Sequence, residues 1–163
     1  MRKVENTSKN NPDSEITIAP TPSVMDVNSF FPGTESLRSD EMRISFMGSN
    51  PFPPRRRQAC TCIMVELGDG HRFFFDFGSG CLRNIIAMRV PIEAINDIFI
   101  THLHVDHFGD LPYLYTFAPH NGRYTPLRVT GPSGSAPEFG TKAMIAGMKQ
   151  MTAWNIDSIN IMP

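Results

Sequence analysis

The chain has 163 residues, and its 15 basic and 16 acidic side chains leave a formal net charge of −1. No global field therefore draws it to nucleic acid or to an anionic membrane, and only a local basic patch can do so. Three cysteines, Cys60, Cys62 and Cys81, without a leader of secretory type argue against a disulfide framework and for a reducing compartment, the cytoplasm; no apolar run approaches the roughly 20 residues of a membrane helix.

Residues 1–38 are rich in Asn, Ser, Pro and Thr and show weak periodicity. They read as a disordered or loosely docked extension, with an ordered domain over 39–163. "MRISFMGS" (42–49) reads as a short apolar strand. "NPFPPRRR" (50–57) is an exposed loop, stiffened by three prolines and made basic by Arg55, Arg56 and Arg57. "CTCIMVEL" (60–67) alternates as a strand does, "GDG" (68–70) is a turn signal, and "HRFFFDFG" (71–78) is the return strand. Cys60 and Cys62 read as buried thiols on one side of their strand, and Gly78 and Gly80 as places where the backbone turns tightly.

"CLRNIIAM" (81–88) has helical spacing, with Leu82, Ile85 and Ile86 on one face. "DIFI" (97–100) reads as a strand buried on both faces. "LPYLYTF" (111–117) has Pro at a helix start, where it is tolerated, and Asp110 is placed to cap that helix. "PLRVTG" (126–131) is another strand, and 136–154 reads as a Met-rich amphipathic helix whose Met stripe belongs to a core. A hairpin followed by alternating strands and helices indicates an α/β fold with a mixed sheet.

Three of the five histidines fall inside "THLHVDH". His102 and His104 are two apart after a strand, so both rings point to one side. Asp106 and His107 follow where the chain turns and can face the same region from another direction. Imidazole and carboxylate together suit Zn²⁺, with Mn²⁺ or Fe²⁺ as alternatives. The end of a strand in an α/β sheet is also where ligands gather. Asp76, shortly before Gly78, reads from the residues alone as a turn-forming Asp. Arg55, Arg56 and Arg57 either grip phosphate or form a solvated charge run. His71 and His120 read as strand-edge and loop residues.

"THLHVDH" resembles the signature of the metallo-β-lactamase superfamily. The order of "FFFDFGSG", a helix, "INDIFITHLHVDHFGDLPYL" and "PLRVTGPSG" resembles its branch of tRNA 3′-processing endonucleases (tRNase Z) and arylsulfatase-like hydrolases, over about residues 42–135. The resemblance implies an αββα sandwich with two metals in a cleft, hence a zinc-dependent hydrolase. His102 and His104 would bind the first metal, and Asp106 and His107 the second. Asp106 would also be catalytic, orienting the attacking water, and Asp76 would brace a ligand from behind. The basic loop matches one that tRNase Z enzymes carry, which implies a small ester or RNA as substrate.

Val105 stands where tRNase Z enzymes carry Gly, and Ser79 where they carry an acidic residue; "GSGC" and "HFGDLP" lean toward the arylsulfatase-like relatives. Nothing after His107 matches the family's later ligands, so only the N-terminal half of the sandwich is expected here. Three expectations follow: a hydrolase of phosphodiesters, an arylsulfatase-like ester hydrolase, or a half-domain without turnover. A nucleic-acid binding module built on the three arginines is a lesser one. A half-sandwich implies either a homo-oligomer or a missing C-terminal half supplied from elsewhere.

Overall fold

The computed structural model describes residues 35–53 and 55–160. The expected 1–38 extension therefore lies for the most part outside the described residues. Five strands form one sheet in the order β1 (Met42–Gly48), β2 (Cys62–Leu67), β3 (Arg72–Phe75), β4 (Asp97–Phe99) and β5 (Arg128–Thr130). β1 to β3 pair antiparallel, and β3 to β5 pair parallel. The sheet is thus mixed, as the element order predicts. The turn between β2 and β3 is closed by the Leu67 N–H donating to the His71 carbonyl at 2.9 Å.

Cross-strand register sorts the side chains into two faces. Met64, Phe74, Ile98 and Val129 form one row across four strands. That face carries the core: Met64, Phe74 and Ile98 are buried, together with Cys81, Leu82 and Ile85 of α1 (Cys81–Ala87), Leu111 and Leu114 of α2 (Leu111–Phe117) and Met148 of α3 (Thr141–Asn160). Fully burying side chains of this size contributes roughly 1.5–3 kcal/mol each. The opposite face holds the row Phe46, Ile63, Phe75, Phe99 and the row Ile44, Val65, Phe73. Among the described residues no helix covers it, and Phe46 is 70% exposed.

Three sequence expectations change in detail. "DIFI" is buried on one face only: Ile98 and Ile100 are in the core, while Asp97 and Phe99 point to the half-covered side. Ile86 is exposed, since the short α1 touches the core only through Cys81, Leu82 and Ile85. The last helix begins at Thr141, after a 3-10 turn at Pro137–Phe139, and runs on to Asn160. Its Met stripe is divided, with Met148 buried, Met144 packed against the core and Met151 exposed.

Candidate metal centre

The predicted cluster lies in the loop between β4 and α2. Thr101 to His104 are extended or bent, and Val105–His107 form one 3-10 turn. A second loop, residues 76–80, holds it from below. The Phe77 N–H donates to the His107 carbonyl at 2.6 Å, and the Asp110 N–H donates to the Phe77 carbonyl at 3.1 Å. Gly78 is required by proximity: a Cβ there would stand 2.1 Å from the Asp106 carbonyl oxygen. Gly80, with φ +84°, takes the left-handed turn that opens α1. Both glycines thus allow the tight backbone that their sequence context predicts.

Asp76 joins the two loops. It is buried and has φ 62°, a left-handed conformation that Asp tolerates better than most residues. Its carboxylate accepts the Thr101 N–H at 2.8 Å and the Thr101 hydroxyl at 2.9 Å. It also accepts His107 Nδ1–H at 2.7 Å. With its proton directed to Asp76, the Thr101 oxygen acts as an acceptor toward His102 Nδ1, 3.2 Å away, the His107 Nδ1–H being directed to Asp76. This pattern assigns the tautomers: both His102 and His107 keep an Nε2 lone pair for another partner. Asp76 therefore fixes the His107 ring directly and the His102 ring through Thr101.

The four candidate ligands come in two pairs. His102 Nε2 is 3.0 Å from His104 Nδ1. His107 Nε2 is 3.4 Å from Asp106 Oδ2. Two ligands held at about 2.1 Å by one tetrahedral ion lie roughly 3.4 Å apart, so the His107–Asp106 pair has that spacing and the His102–His104 pair is tighter. The rings of His102 and His107 approach to 3.9 Å between centroids, which brings the pairs together. Among the described residues, no three His, Cys, Asp or Glu side chains converge on one ion position. The donor chemistry and tautomers thus fit a metal, as two half-shells. His102 and His104 are exposed, whereas Asp106 is buried and receives the Phe52 N–H on Oδ2 at 3.2 Å.

That last bond ties the Pro/Arg loop to the cluster. Asn50 Nδ2 donates to the carbonyls of Pro51 and Pro53, at 2.6 and 2.9 Å, and fixes the loop's start. Arg55, Arg56 and Arg57 follow, all exposed, with Arg55 bridged to Gln58. Cys60, beside this loop, is buried; burial first and the Asp106 carboxylate second push its thiol above the ordinary range. Cys62 and Cys81 are buried and free as well.

His120 occupies a 3-10 turn beyond the far end of α2, and His71 sits exposed before β3, paired with Asp69 at 3.0 Å. Asp110 caps a different helix from the one expected: it makes no side-chain bond to α2, and its Oδ2 accepts the Leu82 N–H of α1 at 3.0 Å. The N-cap position of α1 is Gly80, which has no side chain to offer, and Asp110 fills that role across the loop contact. Sequence reasoning missed Thr101 altogether. The signal was its place, directly before His102 at the end of a strand, where its N–H and hydroxyl can both turn toward a carboxylate on the neighbouring strand.

The profile of the metallo-beta-lactamase superfamily matches residues 55–144, more than half of the chain. The chain belongs to the metallo-beta-lactamase superfamily. Ribonuclease Z of Methanococcus maripaludis (strain S2) is 40% identical over 92 residues, a stretch making up 56% of this chain and 30% of that protein. Ribonuclease BN of Proteus mirabilis (strain HI4320) is 34% identical over 95 residues, 57% of this chain and 31% of that one. Among solved structures, human tRNase Z, short form, superposes with a TM-score of 0.57 at 24% identity, covering 68% of this chain and 40% of the other. The metallo-beta-lactamase fold protein YhfI from Bacillus subtilis gives 0.53 at 24% identity, covering 60% and 41%. At that identity both structures speak to the fold alone. The chain spans about three tenths of the length of these two curated relatives. One mixed sheet with helices on one face, matched to about 40% of each superfamily structure, agrees with the half-sandwich expected from sequence.

Proposed function

We propose that this chain carries the first metal-binding half of a zinc-dependent hydrolase that acts on phosphodiesters, with RNA as the substrate class. The observation that carries the reading is the arrangement of His102 with His104 and of Asp106 with His107 as two ligand pairs at the end of β4. The names of the relatives, ribonuclease Z and ribonuclease BN, support RNA over other esters.

A metal bound here supplies Lewis acidity and lowers the pKa of water beside it. The chain's own residues do the rest. Thr101 and Asp76 hold His102 and His107 in the tautomer that leaves Nε2 free. Asp106, held by the Phe52 N–H, presents its carboxylate at the base of the cluster and orients the attacking water. Arg55, Arg56 and Arg57, on the loop tied to Asp106, would meet the phosphates of the substrate backbone. The buried free thiols support the cytoplasm as the compartment, and among the described residues no helix is long and apolar enough to cross a membrane.

The test is hydrolysis of bis(p-nitrophenyl) phosphate and of a short RNA with added zinc, by this chain and by Asp106→Asn. The substitution keeps the shape and removes the charge; loss of one such electrostatic element typically costs on the order of 10²–10³ in rate. Asp106→Asn with near-normal turnover contradicts the proposal. Turnover of aryl sulfates without phosphodiesters favours the arylsulfatase-like alternative. A second reading, metal binding without turnover, draws on the fact that the described ligands form pairs and no set of three. Zinc binding with no hydrolysis of either ester class supports it.

A further inference from the structure

We propose that Phe52 is a stacking platform for an unpaired base of the RNA, beside the phosphate that is attacked. The inference rests on the reading of this chain as part of an RNA phosphodiesterase, and it adds a residue that holds the nucleotide itself. Phe52 is 67% exposed. A single exposed aromatic is ordinary on a protein surface, but the anchorage of this one is specific. Its N–H donates to Asp106 Oδ2 at 3.2 Å, so the residue carrying the ring is fastened to the carboxylate at the base of the histidine cluster. Among the described residues, no other exposed Phe, Tyr or Trp has a hydrogen bond to a candidate ligand.

The backbone around Phe52 is held on both sides. The Asn50 N–H donates to the Ala59 carbonyl at 3.0 Å, and Asn50 Nδ2 holds the carbonyls of Pro51 and Pro53. Farther on, the Gln58 N–H closes a turn on the Arg55 carbonyl at 3.2 Å, and Gln58 Nε2 donates to Ser49 Oγ at 3.0 Å. A Phe on a fixed backbone has only two side-chain torsions to lose when a ligand lies on it, which lowers the entropic cost of binding. Its ring carries no hydrogen-bonding group, so it reads no base edge. It offers a flat apolar face that any unpaired base can cover.

Charge next to the ring points to the same occupant. Arg55, Arg56 and Arg57 follow closely and are all exposed. Three residues of chain span at most about 11 Å, so the ring and the first guanidinium can serve neighbouring nucleotides of one strand. Cations for the backbone phosphates and an aromatic face for the bases are together what holds single strands. The arginines alone would hold a simple phosphate ester, and that ester would make no use of the aromatic face. In a duplex the bases stack on one another and leave none for Phe52. The class of ligand is therefore an RNA strand unpaired at the nucleotide beside the cluster.

The test is fluorescence anisotropy of the full chain with a short labelled single-stranded RNA and with a strand of equal length and charge that lacks the bases. A chelator keeps the buffer free of zinc, so that neither strand is cut. The wild type should bind the RNA about tenfold more tightly than the baseless strand, within the range that one base–aromatic stack supplies. Phe52→Ala should remove that difference and leave the baseless strand bound as before. Phe52→Trp should keep the difference, and Phe52→Leu, apolar but not aromatic, should lose most of it. The ring is exposed and the N–H bond to Asp106 is a backbone one, so circular dichroism should show a folded chain in each variant. Arg56→Ala should weaken both strands alike. Equal binding of the two strands by the wild type overturns the platform and leaves the RNA reading standing. Binding of neither strand overturns both. Phe52→Ala that weakens both strands equally, or Phe52→Leu that matches the wild type, also overturns the platform.

Discussion

Asp76 Oδ2 lies 2.7 Å from Nδ1 of His107, thirty-one residues later in the chain, and the same carboxylate takes both the N–H and the hydroxyl of Thr101. One buried acid thus receives three donors from the histidine loop. Asn in its place keeps the left-handed backbone but replaces one acceptor oxygen with a donor, which then faces donors. Asp76→Asn should fold, with a modest drop in Tm. Its zinc affinity should fall by about 10–100-fold, as for other residues that brace a ligand. A competitive titration with a zinc chelator reads the affinity, and an unchanged value contradicts the bracing role.

Gly78 is pressed against the Asp106 carbonyl, and Cβ space is absent. Gly78→Ala forces the two loops apart and should destabilise the fold by about 3 kcal/mol, the upper range for overpacking. Chemical denaturation measures it. Gly70→Ala is the control: a Cβ there meets nothing, so only its φ of +91° penalises the change, by about 1–2 kcal/mol. Equal losses at both positions would show that contact with the histidine loop is not what limits residue 78.

Much of this arrangement was legible in the sequence because it is local. The strands announced themselves by alternation, and His102, His104, Asp106 and His107 are adjacent along one turn. What was not legible depends on pieces distant in the chain. Asp110 was expected to cap the helix it precedes; it caps α1 because Gly80 has no side chain there. "DIFI" was read as buried on both sides because its residues are apolar, whereas the helices pack on one face only, which leaves Phe99 on the open side. Ile86 and Met151 are exposed for a similar reason: apolar spacing says which residues can be buried, and contact with a partner element says which are.

Burial first, and then the neighbouring Cys62 thiol, push the Cys81 thiol above the usual cysteine range. The folded state therefore keeps this proton where the unfolded chain gives it up. Its contribution to stability is complete below about pH 8.5 and is lost as pH rises above it. Denaturation midpoints at pH 7 and pH 10 should differ, with the lower stability at pH 10. Cys81→Ala should be less stable at neutral pH and should lose less on going to pH 10. Iodoacetamide should label Cys81 slowly until the chain unfolds. Rapid labelling of native protein contradicts this assignment.

The metal centre itself is tested most directly by zinc content. Purified residues 1–163 are dialysed against buffered zinc, and bound metal is measured by elemental analysis beside the double variant His102→Ala, His104→Ala. In the proposed centre the pair at 3.0 Å would supply the first half-shell, and its removal would leave Asp106 and His107. The expected result is measurable zinc in the wild-type chain and at least about a tenfold loss of affinity in the double variant. Equal zinc content in the two proteins would contradict the assignment of the histidine loop as a metal site.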